Sequence, residues 1–203
     1  MAVRTLLGAC SDISLRGCSL THDELPILIP KIQENQVLAK LDLSQNVELV
    51  EVDALCDAVL QSPSLRTFSK INMHKVRNNN ISEINLANKA IGTAGAIVLG
   101  SLMVTNKSLT NVNLSGCGLS SKCVTAISEG LGGCKTLQTL SLEENNIQSD
   151  GTEIIAQSLA SAPKALNKVV MDHESPPGEA WEVKSVQSKA RGNTFWHYVR
   201  LRR

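Results

Sequence analysis

Aromatic residues make up only 2% of this 203-residue chain, and a single one, Phe68, precedes residue 181. A thin interior filled by Leu, Ile, Val and Ala is therefore expected, although 42% hydrophobic content is enough for one modest domain. No segment has the roughly 18 uninterrupted apolar residues that a membrane-spanning helix needs. None of the six cysteines (Cys10, Cys18, Cys56, Cys117, Cys123, Cys134) forms C-x-x-C, and none has a histidine at metal-ligand spacing, which disfavours disulfide and zinc readings. Scattered unpaired thiols point to a reducing, cytoplasmic location. There is no G-x-x-x-x-G-K-[ST] phosphate loop, and His22, His74, His173 and His197 have no Cys or Ser motif around them. No catalytic residue, cofactor or metal ligand is nominated, and a non-enzyme is expected.

What the chain does have is a recurring phrase. Two apolar residues flank one variable position and a small polar residue follows, as in Ile13-x-Leu15-x-x-Cys18-x-Leu20 and Leu41-x-Leu43-x-x-Asn46. The phrase returns at Ile84-x-Leu86-x-x-Lys89-x-Ile91, Val112-x-Leu114-x-x-Cys117-x-Leu119 and Leu140-x-Leu142-x-x-Asn145-x-Ile147, then fades at Val169-x-Met171. Its anchors are spaced 28, 43, 28, 28 and 29 residues apart, the 43 being one period plus an insertion of 15. Three residues before each phrase stands another apolar or thiol side chain: Cys10, Leu38, Ile81, Leu109, Leu137 and Leu166.

Period-two alternation in the phrase predicts a short strand buried on one face. Helical spacing follows it, for example at Leu25, Leu28 and Ile32, or at Val124, Ile127 and Leu131. Each unit is thus a strand, a turn and a helix of about three turns. Such a unit cannot bury its apolar faces alone but shares a core with identical neighbours, so the period predicts an α/β solenoid of about six strand-helix units.

The pattern L-x-x-L-x-L-x-x-N/C-x-L resembles the leucine-rich repeat. The period of 28 with a full helix, as across Leu86 to Ala96, resembles the ribonuclease-inhibitor-like subclass. The resemblance covers residues 10 to 172 and implies a curved right-handed β-α horseshoe with a parallel sheet on its concave side. It also implies a role in binding proteins, since nuclease inhibitors, innate-immune receptors, Ran GTPase activators and actin-capping proteins share that concave surface. A GTPase activator is the weakest of these, because the array is short and its end is basic. In this pattern Cys18 and Cys117 take the turn position, Cys10 a core position, and Gly95 marks the start of a helix.

Cys10 also ends a segment, Leu7-Gly8-Ala9-Cys10, that superficially matches a lipoprotein cleavage box. The preceding apolar run is shorter than the roughly 7 to 15 residues such a signal carries, and the repeat already accounts for the cysteine. A mitochondrial presequence with Arg4 and Arg16 is disfavoured for the same reason.

Positions between the leucines should face outward on the concave side. The central column reads Ser14, Asp42, Asn85, Asn113, Ser141 and Val170; flanking columns contain Arg16, Glu143 and other small polar residues. Arg16, Asp42, Asn85, Asn113 and Glu143 are the candidate partner-binding residues here, with Arg16 the one residue of a type favoured at binding hot spots.

Two segments break the rhythm. The first, about residues 69 to 83, opens Ser-Lys-Ile-Asn-Met-His-Lys-Val-Arg-Asn-Asn-Asn and has a charge of +3 through Asn80. It reads either as a loop leaving the repeat or as a degenerate repeat begun by Leu65-x-x-Phe68, and it nominates Lys75 and Arg77. The second, 173 to 203, follows a domain of residues 1 to 172. After Pro176-Pro177-Gly178 it carries four of the five aromatics and a charge of +4, leaving −6 for the remainder of a chain whose total is +1. Trp181 and Val183 are expected to cap the open core over Leu166 and Val169. The segment 195 to 203 alternates bulky and polar residues, so it is suited to adding as a strand to a partner. Trp196, Tyr198, Arg200 and Arg202 are nominated there.

The expected function is a non-catalytic interaction module or adaptor subunit in an intracellular assembly, such as a cytoskeletal or axonemal complex, with protein partners and neither a membrane nor a small-molecule substrate. A ribonucleoprotein component holding RNA through the insertion and tail is the alternative.

Overall fold

The computed structural model describes residues 10–46, 49, 51–161, 165, 166, 168–173, 181–190 and 193–199. Short strands alternate with helices: β1 (Asp12–Ser14), α1 (Leu25–Glu34), β2 (Lys40–Asp42), α2 (Asp53–Gln61), β3 (Thr67–Phe68) and α3 (Met73–Arg77). There follow β4 (Glu83–Asn85), α4 (Gly92–Thr105), β5 (Asn111–Asn113), α5 (Ser121–Gly133), β6 (Thr139–Ser141), α6 (Gln148–Ser161) and β7 (Lys168–His173). The strands form where the alternation places them. Ile13, Leu41, Ile84, Val112, Leu140 and Val169 are all buried, and they pair in register as Ile13↔Leu41, Ile84↔Val112, Val112↔Leu140 and Leu140↔Val169.

Helices α1 and α2 pack behind the strands through one apolar stripe each, whereas α4 is buried on several sides, at Ala94 to Ala96, Val98 to Gly100, Leu102 and Met103. Leu25, Leu28 and Ile32 on α1, and Leu55 and Val59 on α2, are buried. The turn before α1 is closed by a capping box: Thr21 donates its N–H (2.8 Å) and its hydroxyl (2.9 Å) to the Glu24 carboxylate. Between α4 and α5 the approach is close enough that Gly130, given a side chain, would bring its Cβ within 2.8 Å of the Gly100 carbonyl oxygen, and a Cβ on Gly133 would lie 2.6 Å from the Val104 Cα.

The sheet is not continuous. β1, β2 and β3 form one parallel sheet; β4 to β7 form a second, extended by the antiparallel strands β8 (Trp181–Ala190) and β9 (Asn193–Val199). The single parallel sheet expected from the period is interrupted at residues 69 to 83. That segment does not leave the fold as a loop. Phe68, Ile71, Met73 and Val76 are all buried, β3 pairs with β2 through Leu41↔Phe68, and the five-residue α3 takes the place of a full helix.

The compression has a local cause. Ser69 and Lys70 adopt left-handed backbone (φ 42° and 73°) and turn the chain straight back, so that Phe68 bridges Ile71. The turn after β2 then meets the turn after β4 directly, the Gln45 N–H donating to the Ala90 carbonyl at 3.3 Å. One hydrophobic core nevertheless runs from Ile13 to Met171. Among the described residues no helix is long and apolar enough to cross a membrane.

Candidate interaction surface

Amide and thiol side chains at Asn46, Cys117 and Asn145 tie their turns to the preceding one. Asn46 Nδ2 donates to the carbonyls of Leu43 (2.8 Å) and Leu15 (2.9 Å), while its Oδ1 accepts from the Leu20 N–H at 3.0 Å. Asn145 repeats the arrangement on Leu142 (2.9 Å) and Leu114 (2.8 Å), accepting from Cys117 and Leu119, both at 3.0 Å. Cys117 fills the equivalent slot with one bond, Sγ to the Leu86 carbonyl at 3.0 Å. Burial raises the pKa of this thiol, against smaller lowering effects from Lys89, which keeps the proton it donates.

A second polar row, absent from the leucine pattern, closes the other edge, where helices end and strands begin. Asn35 Oδ1 accepts from Val37 (2.7 Å) and Leu38 (2.6 Å), and Asn106 Oδ1 from Ser108 (2.8 Å) and Leu109 (2.7 Å). The hydroxyls of Ser64, Ser108 and Thr136 each reach a carbonyl of the preceding unit, at 3.0, 2.7 and 2.7 Å. The signal was present as Asn35-x-x-Leu38 and Asn106-x-x-Leu109.

The central column of the outward strand face has a structural task of its own. Asp42, Asn85 and Asn113 each accept, through Oδ1, the backbone N–H two residues on, at 3.0 Å from Ser44, 3.1 Å from Ala87 and 3.0 Å from Ser115. This Asx geometry holds the chain as it leaves the strand. Asn85 and Asn113 retain Nδ2 groups with no protein acceptor among the described residues.

Charges on the face are partly self-paired. Lys40 bonds Asp12 at 2.8 Å across the register. Asp42 pairs with Lys70 and accepts the Ser44 hydroxyl at 2.6 Å. Burial alone would raise the Asp42 pKa, but Lys70 and Ser44 together bring it below the ordinary carboxylate value. Arg16 is exposed and donates from Nε to Gln45 Oε1 at 3.0 Å. Glu143 is half-buried where the chain leaves β6.

Of the insertion's three cations, Lys70 pairs with Asp42 and Arg77 with backbone carbonyls, while Lys75 has no ion pair or side-chain hydrogen bond among the described residues. Arg77 donates to the Leu60 carbonyl at 2.6 Å and, more weakly, to Val59 and Leu65 at 3.4 Å. It thus caps the carbonyl end of α2, and burial draws its pKa down. The guanidinium nominated as a partner contact is thus also engaged within the chain. Lys89, in a slot that holds Asn or Cys elsewhere, donates to the Asn85 carbonyl at 3.0 Å.

The tail's backbone pairs with its own chain. β8 lies against β7 through Val183↔Met171 and His173↔Trp181, and β9 runs along β8 through Gln187↔Trp196 and Ser185↔Tyr198. The side chains of Trp181, Trp196 and Tyr198, and residues Arg200 and Arg202 entirely, lie outside what the structure describes. Among the described residues no group of three or more His, Cys, Asp or Glu side chains could hold a metal.

No protein-family model matches the chain. It is 28% identical over 163 residues to the mouse (Mus musculus) NACHT, LRR and PYD domains-containing protein 4C, covering 73% of this chain and 17% of that protein. Similarity to the mouse protein 4E of the same series is 28% over 171 residues, covering 77% and 18%; to the human (Homo sapiens) protein 5 it is 27% over 164 residues, covering 73% and 14%. The chain therefore spans about one sixth of the length of the curated relatives it matches. Among solved structures, leiomodin-1 actin-binding site 2 superposes with a TM-score of 0.47 at 22% identity, covering 50% of this chain and 59% of that one. The similarity to the three relatives, whose names include an LRR domain, supports a leucine-rich-repeat relationship.

Proposed function

We propose that this chain is a non-catalytic protein-interaction module, a curved β-α horseshoe of leucine-rich repeats of the ribonuclease-inhibitor-like kind, serving as an adaptor subunit in a cytoplasmic assembly. The observation that carries the reading is the stack of parallel strands and amide-tied turns, together with relatives whose names include a leucine-rich-repeat domain. A fold of this kind presents a broad rigid face, and the face here offers amides, hydroxyls, carboxylates and a few cations. Six free cysteines, four of them buried, fit a reducing compartment.

The RNA alternative through the insertion and tail is the weaker reading. Two of the insertion's three cations already have partners within the chain, Lys70 with Asp42 and Arg77 with α2, and a polyanion requires cations that are free to meet phosphates. Affinity capture with the full chain tests the proposal. Specific protein partners, retained after ribonuclease treatment, are expected; capture that depends entirely on RNA would refute it.

A further inference from the structure

We infer that the edge of the array where helices end and strands begin is a docking site for an acidic segment of a partner protein. The inference rests on the interaction-module reading and names one of its surfaces. Arg66, Lys75, Lys107 and Lys135 are all exposed on this edge, and none is in a salt bridge among the described residues. Each belongs to a different unit or to the compressed one, so no local run of sequence reveals them together.

Hydrogen bonds of their own backbone or of adjoining residues bring the segments that carry them side by side. The Arg66 carbonyl accepts from His74 N–H at 3.1 Å, at the start of α3, and the Lys75 carbonyl accepts from Asn80 N–H at 2.9 Å. The neighbouring Asn79 Oδ1 accepts from Lys107 N–H at 2.6 Å. Thr136, beside Lys135, donates its hydroxyl to the Leu109 carbonyl at 2.7 Å. Adjacent units are about 5 Å apart at the strands and roughly 8–10 Å apart at the helices. Neighbouring cations on the connecting turns therefore fall within about one Debye length, ~8 Å at physiological salt, and their fields add.

Nearby carboxylates do not cancel that field. Glu34 is held by Lys31 at 3.0 Å, Glu83 lies at the concave side beside Asn111 at 3.4 Å, and Glu129 sits a full turn back from the end of α5. The helix macrodipole accounts for part of the pattern, since Lys107 and Lys135 each follow the cap of a helix C-terminus. It does not account for Arg66, five residues beyond the end of α2 at Gln61, because the dipole's influence fades within the last turn.

The chemistry favours protein over nucleic acid. Single-stranded nucleic acids are held by aromatic stacking as well as charge, and the one aromatic whose side chain is described, Phe68, is fully buried. An extended acidic segment needs only carboxylates spaced along its length to meet the Arg and Lys donors in charge-assisted hydrogen bonds.

The test uses the full chain and three fluorescein-labelled probes: a twelve-residue peptide alternating Glu and Ser, its Lys-Ser counterpart, and a twenty-nucleotide oligouridine. Anisotropy is read at low and high salt for the wild type, for the Lys107→Glu/Lys135→Glu double variant, and for Lys122→Glu, an exposed lysine at the opposite end of α5. The acidic peptide should bind in a salt-sensitive manner and lose at least tenfold in affinity in the double variant, with Lys122→Glu within twofold of wild type and all melting midpoints alike. Equal binding by the double variant, equal loss in Lys122→Glu, or tighter binding of oligouridine than of peptide would each overturn the inference. If the double variant captures the same protein partners as wild type, this edge is excluded while the module reading stands; if the wild type captures none, both fall.

Discussion

At the scale of single residues, stability depends on a few side chains that satisfy several buried backbone groups at once. Asn145 is 7% exposed and makes hydrogen bonds to both its own turn and the preceding one. Asn145→Ala strands those carbonyls and N–H groups, and with about 1–3 kcal/mol for each unsatisfied buried group, partly relieved by water, a loss of about 2–3 kcal/mol is expected from urea unfolding. Asn145→Cys should lose less, since Cys117 manages the same slot with one bond to the Leu86 carbonyl; equal losses for the two variants would show that packing, not hydrogen bonding, governs the slot. Asp42 adds a pH dependence. Its pKa is lower in the folded chain than the ordinary 3.8, so its contribution is fully present above that value and disappears as pH falls through the lower folded one. Asp42→Asn should therefore flatten the decline in stability below about pH 4, measured as the urea midpoint at stepped pH. An unchanged decline would assign acid sensitivity to other carboxylates.

At the scale of elements, glycines decide how close the helices lie. A Cβ on Gly100 would fall on the carbonyl oxygen of Ala126 in the next helix, whereas one on Gly132 would meet nothing within 4 Å. Alanine is the better helix former by about 1 kcal/mol, so Gly132→Ala should be neutral or slightly stabilising while Gly100→Ala costs about 1–3 kcal/mol through forced separation of α4 and α5. Thermal melts of the two variants check this, and a stabilised Gly100→Ala would disprove the close contact. Strand positions were legible because the alternation is written repeatedly at one spacing, so one imperfect copy does not hide the others. The compressed unit was not, since Phe68, Ile71, Met73 and Val76 follow neither period and the reversal at Ser69 and Lys70 takes positive φ without a glycine to announce it. The internal pairing of the insertion's cations was hidden in the sequence for a related reason. Lys70 and Arg77 read as free cations in sequence, but their partners Asp42 and Leu60 lie 28 and 17 residues away. Lys107 and Lys135 stand a full period apart and so make no run in the sequence.

At the scale of the whole molecule, the broken sheet sets two local tendencies against each other. Strand pairing ends at β3 and resumes at β4, which by nearest-neighbour reasoning for stacked repeats would let the two sides unfold separately. Other bonds cross the break: Gln45 N–H to the Ala90 carbonyl at 3.3 Å, Asn106 Nδ2 to the Val76 carbonyl at 2.6 Å, and Cys56 Sγ to the Ala94 carbonyl at 3.6 Å. The core also continues through Phe68, Ile71 and Met73 into α4. Coupling across the interface should then be comparable to that within either side, and wild-type protein is expected to unfold in one transition, with circular dichroism and amide exchange of β2 and β5 reporting the same urea midpoint. Asn106→Ala removes the shortest of these bonds and leaves the buried Val76 carbonyl unpaired, weakening the interface by about 1–3 kcal/mol; it also removes the acceptor of the Ser108 and Leu109 N–H groups ahead of β5, a cost that falls on the second side. In that variant β5 should stay protected to higher urea than β2, because α4 and α5 remain locked by Gly100, Gly130 and Gly133 while the first sheet has only three short strands. Two midpoints already separate in the wild type would mean that the compressed unit divides the array, and a single shared midpoint in Asn106→Ala would mean that the continuous core alone carries the coupling.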